Sequence, residues 1–269
     1  MSLVVNTNVA SMNAQRSLMS SSKELQTAME RLSSGKKINS AADDAAGFAI
    51  AESMTAQIRG LSMAAKNASD GLGLLKVIEN ASNDITDILQ RVRELAVQGA
   101  SDTNSVDDIA NLQLEADALL LEIERISEAT TYNGVAYLGT GATTVSIQVG
   151  YEDTDYIEID TNDVGAQVAT DLTGFTIGGA DALAKVSTAI DSVAGYKAEW
   201  GAGQNRLEYT ISNLMNVVEF TTAARSRIQD ADFAVEAARL AKAQVLQQSG
   251  TAMLAQANAS PQLAISLLS

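Results

Sequence analysis

Residues 43–99 read DDAAGFAIAESMTAQIRGLSMAAKNASDGLGLLKVIENASNDITDILQRVRELAVQG, and this stretch decides the fold. Met54, Ile58, Leu61, Ala65, Ala68, Leu72 and Leu75 recur at steps of three and four. Ile78, Ile85, Leu89 and Val92 carry the stripe on toward Gly99. That period marks one face of an α-helix. Asp43 and Asp44 stand where the helix dipole favours negative charge, and Gly99 is placed to cap the far end. Unbroken, such a helix is a rod of about 85 Å at 1.5 Å per residue, which a globular enzyme rarely contains. Gly60, Gly71 and Gly73 each weaken it, so a kink is the expected complication.

Working outward from this rod, more helix follows on both sides. After the polar loop SDTNSVDD, Ile109, Leu112, Ala116, Leu119, Ile123 and Ile126 form a heptad that predicts a helix folding back antiparallel, stopped by the turn pair Asn133-Gly134. Upstream, Leu18, Leu25 and Leu32 recur every seven residues with Ala14, Ser21 and Ala28 between them. This is a coiled-coil seam with one line of unusually small knobs, and small knobs let a partner helix come close. Ser33, Ser34 and Gly35 end that segment. Residues 135–175 change character. Val145, Ile147 and Val149 alternate with polar residues, as do Ile157 and Ile159, around the turn-like GYEDTD, which predicts an exposed β-hairpin. Helix resumes near Asp181. Leu207, Ile211, Leu214, Val218 and Thr221 keep heptad spacing, Ile228 and Val235 extend it, and the seam then becomes small: Ala238, Ala241, Val245, Ser249 and Ala252. The expected fold class is mainly α: a long antiparallel helical bundle or coiled coil formed by both chain ends, with a small β-hairpin region in the middle.

Composition removes most chemistry. The chain has neither cysteine nor histidine, which excludes thiol catalysis, disulfides, zinc sites and every Ser-His or Cys-His arrangement. No acidic loop has calcium-binding spacing. The expectation is no enzyme, no cofactor and no metal. The net charge of −15 is uneven: residues 1–42 carry +3 and residues 225–269 carry +1, leaving −19 for the middle. Near-neutral ends fit mutual packing, and an acidic middle fits a solvated surface that disfavours nucleic acid. No run approaches the ~20 apolar residues a membrane span needs, and the start of the chain, MSLVVNTNVASMNAQRS, has no secretory-signal pattern. Both terminal segments hold too little large apolar surface to offset the entropy of ordering alone, so they are expected to fold only against partners. Two such ends at the base of one hairpin point to a filament or a ring.

The chain resembles the bacterial flagellins. The resemblance is carried by VNTNVASMNAQRSL, by RLSSGKKINSAADDAAGFAIAESMTAQIRGL and by QRVRELAVQ at 90–98. TYNGVAYL, GAGQNRLEYTISNL at 201–214 and ARSRIQDADFAVEAARLAKAQVLQQSGTAMLAQANASPQ at 224–262 continue it. It spans nearly everything except about 139–190. It implies an inner coiled-coil domain from residues 1–42 and 225–269. It implies a rod-like domain from 43–224 with 135–175 as its exposed variable part, and no large outer domain. The implied function is the structural subunit of the flagellar filament for swimming motility, secreted to the extracellular flagellum, exported unfolded and folded at the filament tip. The implied partners are other copies of the chain, the filament cap and hook-associated proteins, an export chaperone and the type III export apparatus. The nearest rival is a hook-filament junction protein, and QQSGTAMLAQAN favours the filament subunit. Arg91, Leu95 and Glu115 match positions that in related flagellins contact Toll-like receptor 5. Coiled-coil assembly is expected from Leu18, Leu25, Leu32, Ile228, Val235 and Val245, and Leu267 and Leu268 match the family's apolar tail.

Overall fold

The computed structural model describes residues 7–266, with side chains described as far as residue 260. Its elements run α1 (Val9–Ser34), α2 (Ala45–Gly99), α3 (Val106–Ala129), β1 (Thr131–Tyr132), β2 (Val135–Ala136), β3 (Thr144–Gln148), β4 (Tyr156–Asp160), α4 (Val164–Asp171), α5 (Ala182–Gln229) and α6 (Phe233–Ser266). The fold is mainly α, with two small antiparallel strand pairs, β1–β2 and β3–β4. Two compact units divide it: a terminal unit of Met1–Ala56 with Phe220–Ser269, and a central unit of Gln57–Glu219.

In the terminal unit α1 and α6 run antiparallel. Asn8 Nδ2 donates to the Ala257 carbonyl at one end (2.8 Å), and Arg31 reaches Glu236 at the other (3.2 Å). Asn8 caps α1 by accepting from the Ser11 amide, and Gly35 closes it in the left-handed conformation, φ 71°. The strand-like crossing beyond Gly35 ties the chain to the α5–α6 junction: the Ala231 amide donates to the Gly35 carbonyl at 2.9 Å and Lys37 N–H to the Gln229 carbonyl at 2.6 Å. Asp232 then accepts from the amides of Ala234 and Val235, starting α6 afresh.

The central unit has one large core cluster and a small separate one of Leu61, Ala64 and Leu214. Ile78, Ile85, Leu89 and Val92 of α2 meet Ala116 and Ile123 of α3, Val164 and Val168 of α4, and Val186, Val193, Trp200 and Leu207 of α5. Ile147, Ile157 and Ile159 add one face of the hairpin, whose register pairs Val145 with Ile159 and Ile147 with Ile157. Trp200 is the largest fully buried side chain, and its indole N–H donates to the Asp160 carbonyl at 3.0 Å, locking β4 onto α5. Ser105 and Asp108 form a complete capping box at the start of α3. Hydrogen bonds from the Ser105 hydroxyl and then the Ser105 amide hold the Asp108 carboxyl below its ordinary range.

The glycines of α2 do not break it; the helix continues from Ala45 to Gly99. A Cβ at Gly71 would overlap Ile147 Cδ1, and one at Gly99 would overlap Ile177 Cγ2. These positions admit hairpin and loop side chains close to the helix backbone, and that access is what the propensity cost of glycine obtains here.

Candidate assembly and recognition surfaces

The α1–α6 seam alternates half-buried leucines with small and polar side chains. On α1, Ser11, Ser21 and Ala28 are buried, and Ala14, Leu18, Leu25 and Leu32 are half-buried between them. On α6 the inward positions are Glu236, Leu240, Ala243, Gln247, Gly250, Leu254 and Ala257, stepping four and three throughout. That is a heptad seam, but its members include a carboxylate, an amide and a glycine. Gly250 lies under Leu18, whose Cδ1 would stand 3.3 Å from an added Cβ. Ser11 Oγ donates to Asn258 Oδ1 at 2.8 Å near the open end.

This seam differs from the expected one on α6. Val235 and Val245 lie on the outer side, 45% and 63% exposed, and Ala238, Ala241, Ser249 and Ala252 are exposed with them. Ile228 is half-buried at the end of α5. The reason is the interruption at residues 230–232, where an isolated bridge from Asp230 to Lys36 replaces helix. A heptad counted through Ile228 loses its phase there, and α6 restarts on its own. Leu267 and Leu268 lie outside the described residues.

Glu236, which the apolar pattern passes over, is the polar anchor of the seam. Its Oε1 accepts from Arg31 Nη1 at 3.2 Å and from Arg239 Nη1 at 3.0 Å, and its side chain is almost fully buried. A buried carboxylate held by two guanidiniums fixes register more than it adds stability. The available signal was Arg239 three residues later, on the same helix face.

The outward sides of the two helices mix polar residues with large apolar ones. Met12, Met19 and Met29 of α1, and Val245, Leu246 and Met253 of α6, all stand exposed among them. Large apolar side chains left exposed in these numbers fit an association surface.

In the central unit, Arg91 donates from Nε and Nη2 to Glu115 Oε1 (3.1 and 2.9 Å) and from Nη1 to Glu94 Oε2 (2.9 Å). Hydrogen bonds to Glu94 first, then to Glu115, hold Arg91 above its ordinary value. The pair bridges α2 and α3 on a half-exposed surface. Leu95, one turn further along α2, is only 1% exposed and belongs to the core. The three residues expected to share one surface therefore separate into an exposed ion pair and a packing residue beneath it.

Among the described residues no helix is long and apolar enough to cross a membrane, and no group of three or more acidic side chains is arranged to hold a metal ion. Comparison with known proteins places this architecture. Residues 5–143 match the bacterial flagellin N-terminal helical region, and residues 183–268 match the flagellin C-terminal helical region. The chain is 42% identical to a flagellin of Halalkalibacterium halodurans over 99% of its own length and all of that protein. It is 40% identical to a flagellin of Bacillus subtilis over 98% of this chain and 99% of the relative. A crystal structure of Bacillus cereus flagellin superimposes with a TM-score of 0.50 at 29% identity, covering 55% of this chain and 88% of that one. The chain belongs to the bacterial flagellins, the structural subunits of the flagellar filament, and is not an enzyme.

Proposed function

We propose that this filament subunit is exported unfolded and completes its fold only as it joins the filament tip, with residues 1–42 and 225–269 forming the inner coiled-coil domain and 43–224 the rod-like domain. The observation that carries this reading is the α1–α6 seam. Its knobs are mostly Ala, Ser, Gly and amide side chains, while the methionines and valines of the same helices face outward. Burying a large apolar side chain contributes about 1.5–3 kcal/mol, and burying alanine or serine far less. Ordering each residue costs about 1–2 kcal/mol of backbone entropy. The pair therefore draws its remaining stability from surfaces supplied by neighbouring copies, which cover the exposed methionines and valines. A chain without cysteine also passes an export channel with no risk of cross-linking. The partners this reading requires are an export chaperone and the type III apparatus, then the cap and hook-associated proteins at the growing end.

The receptor-facing part of the proposal rests on Arg91 and Glu115. They form an exposed, pre-oriented charged pair on a rigid two-helix surface, and the monomer offers them to Toll-like receptor 5. Leu95 supports that surface from below and makes no direct contact. Electron microscopy of the purified chain induced to polymerise separates the filament subunit from a hook-filament junction protein. Long helical filaments are expected. Rings or short stubs would assign the chain to the junction.

A further inference from the structure

The central unit carries two exposed helix faces that match each other and cannot meet within one chain. On α3, Asp117, Leu121 and Glu124 stand at positions i, i+4 and i+7, with Leu121 66% exposed between the two acids. They border a groove of about 520 Å³ between α3 and α4. On α2, Arg59, Met63 and Lys66 repeat the same spacing with the opposite charge, and Met63 is 56% exposed. In each triplet the charged ends are about 10.5 Å apart, from seven residues at 1.5 Å each. None of the four charged groups has an ion-pair partner among the described residues; Asp117 accepts only from Gln113 Nε2, at 2.7 Å.

The two faces are held apart by the packing of the helices. Glu115 of α3 meets Arg91 of α2, and Arg125 and Ile126 share a cleft with Asn80 and Asp84. Glu124 therefore lies opposite the stretch of α2 around Asn80. Lys66 is about 21 Å further along α2, the length of the 14 residues between them. No side chain spans that distance. Only a second copy can present one face to the other. Because one surface then docks on a different surface, the contact repeats from copy to copy, as an open helical array or a ring.

We infer that Arg59, Met63 and Lys66 of one subunit dock on the Asp117, Leu121 and Glu124 face of the next, as a subunit-subunit contact of the filament. The inference rests on the filament-subunit reading and names one of its interfaces. Met63 packs beside Leu121 at the centre, and the paired charges at either end set the register and select the correct neighbour.

Seeded polymerisation of the full chain tests this. Arg59→Glu with Lys66→Glu replaces two attractions by two repulsions, and the critical concentration for elongation is expected to rise about ten-fold or more. Adding Asp117→Lys and Glu124→Lys to that variant restores opposite charges, and elongation is expected to return to near the parent value. All four positions are exposed, and circular dichroism of each monomer verifies that the helices persist. Elongation of the first variant at the parent's concentration would overturn the inference. So would a four-fold variant with parental dichroism that stays blocked. If the parent itself formed no filament, the filament-subunit reading would fail instead.

Discussion

At the scale of single residues, the charged surface and the core are separated by one helical turn. Arg91 is half-exposed and bonded to two acids, whereas Leu95 is sealed beneath it. Their substitutions should therefore fail in different ways. Leu95→Ala removes a buried side chain from the centre of the core and should destabilise the central unit by about 2–5 kcal/mol. Arg91→Ala removes an exposed pair of the kind that contributes little to stability. It should leave denaturant unfolding nearly unchanged while weakening Toll-like receptor 5 signalling by the monomer. Unfolding curves and a receptor reporter assay on the two variants check this. Unaltered signalling by Arg91→Ala would remove Arg91 from the recognition surface. The periodicity of α2 assigns Leu95 to its apolar stripe, but a motif match alone does not distinguish a residue that touches a partner from one that supports it.

At the scale of elements, the fold was legible wherever apolar period and stop signals agreed. The stripe through α2, the heptad of α3 and the alternation of Val145, Ile147, Ile157 and Ile159 each predict the element that forms. Three features were not legible, each for a physical reason. The short helix α4 has only Val164 and Val168 to bury, too few for a period. Asn133 and Gly134 predict a helix stop. Both adopt positive φ and also join β1 to β2, a hairpin signal of the same dipeptide. The phase of α6 was lost at residues 230–232, because its inward positions include Glu236, Gln247 and Gly250, which no hydrophobicity count selects. Glycine in α2 was read as weakness, whereas Gly71 admits Ile147. Gly71→Leu should accordingly separate the hairpin from α2 and cost about 1–3 kcal/mol by overpacking. Adding Ile147→Ala should recover part of that loss, because it removes the overlapping atoms. Thermal unfolding of the two variants measures it, and a single variant as stable as the parent would show that the hairpin does not need this close approach.

At the scale of the whole molecule, the two units are built on different principles. The central unit has a core rich in leucine, isoleucine, valine and alanine around one tryptophan, closed by a capping box and a locked hairpin. The terminal unit has a seam of small and polar knobs, one buried ion network and apolar residues turned outward. On the reading proposed above, the first unit is stable by itself and the second through neighbouring copies. That division would let one chain serve both export and assembly, since segments with too little core to fold alone become ordered where other copies cover them.

Limited proteolysis of the monomer against the assembled filament separates folding alone from folding through neighbours. The first ~40 and last ~45 residues are expected to be clipped early in the monomer while the central unit persists, and the same segments to be protected in the filament. Equal clipping of the ends in both states, or a monomer whose ends resist as long as its centre, would contradict it.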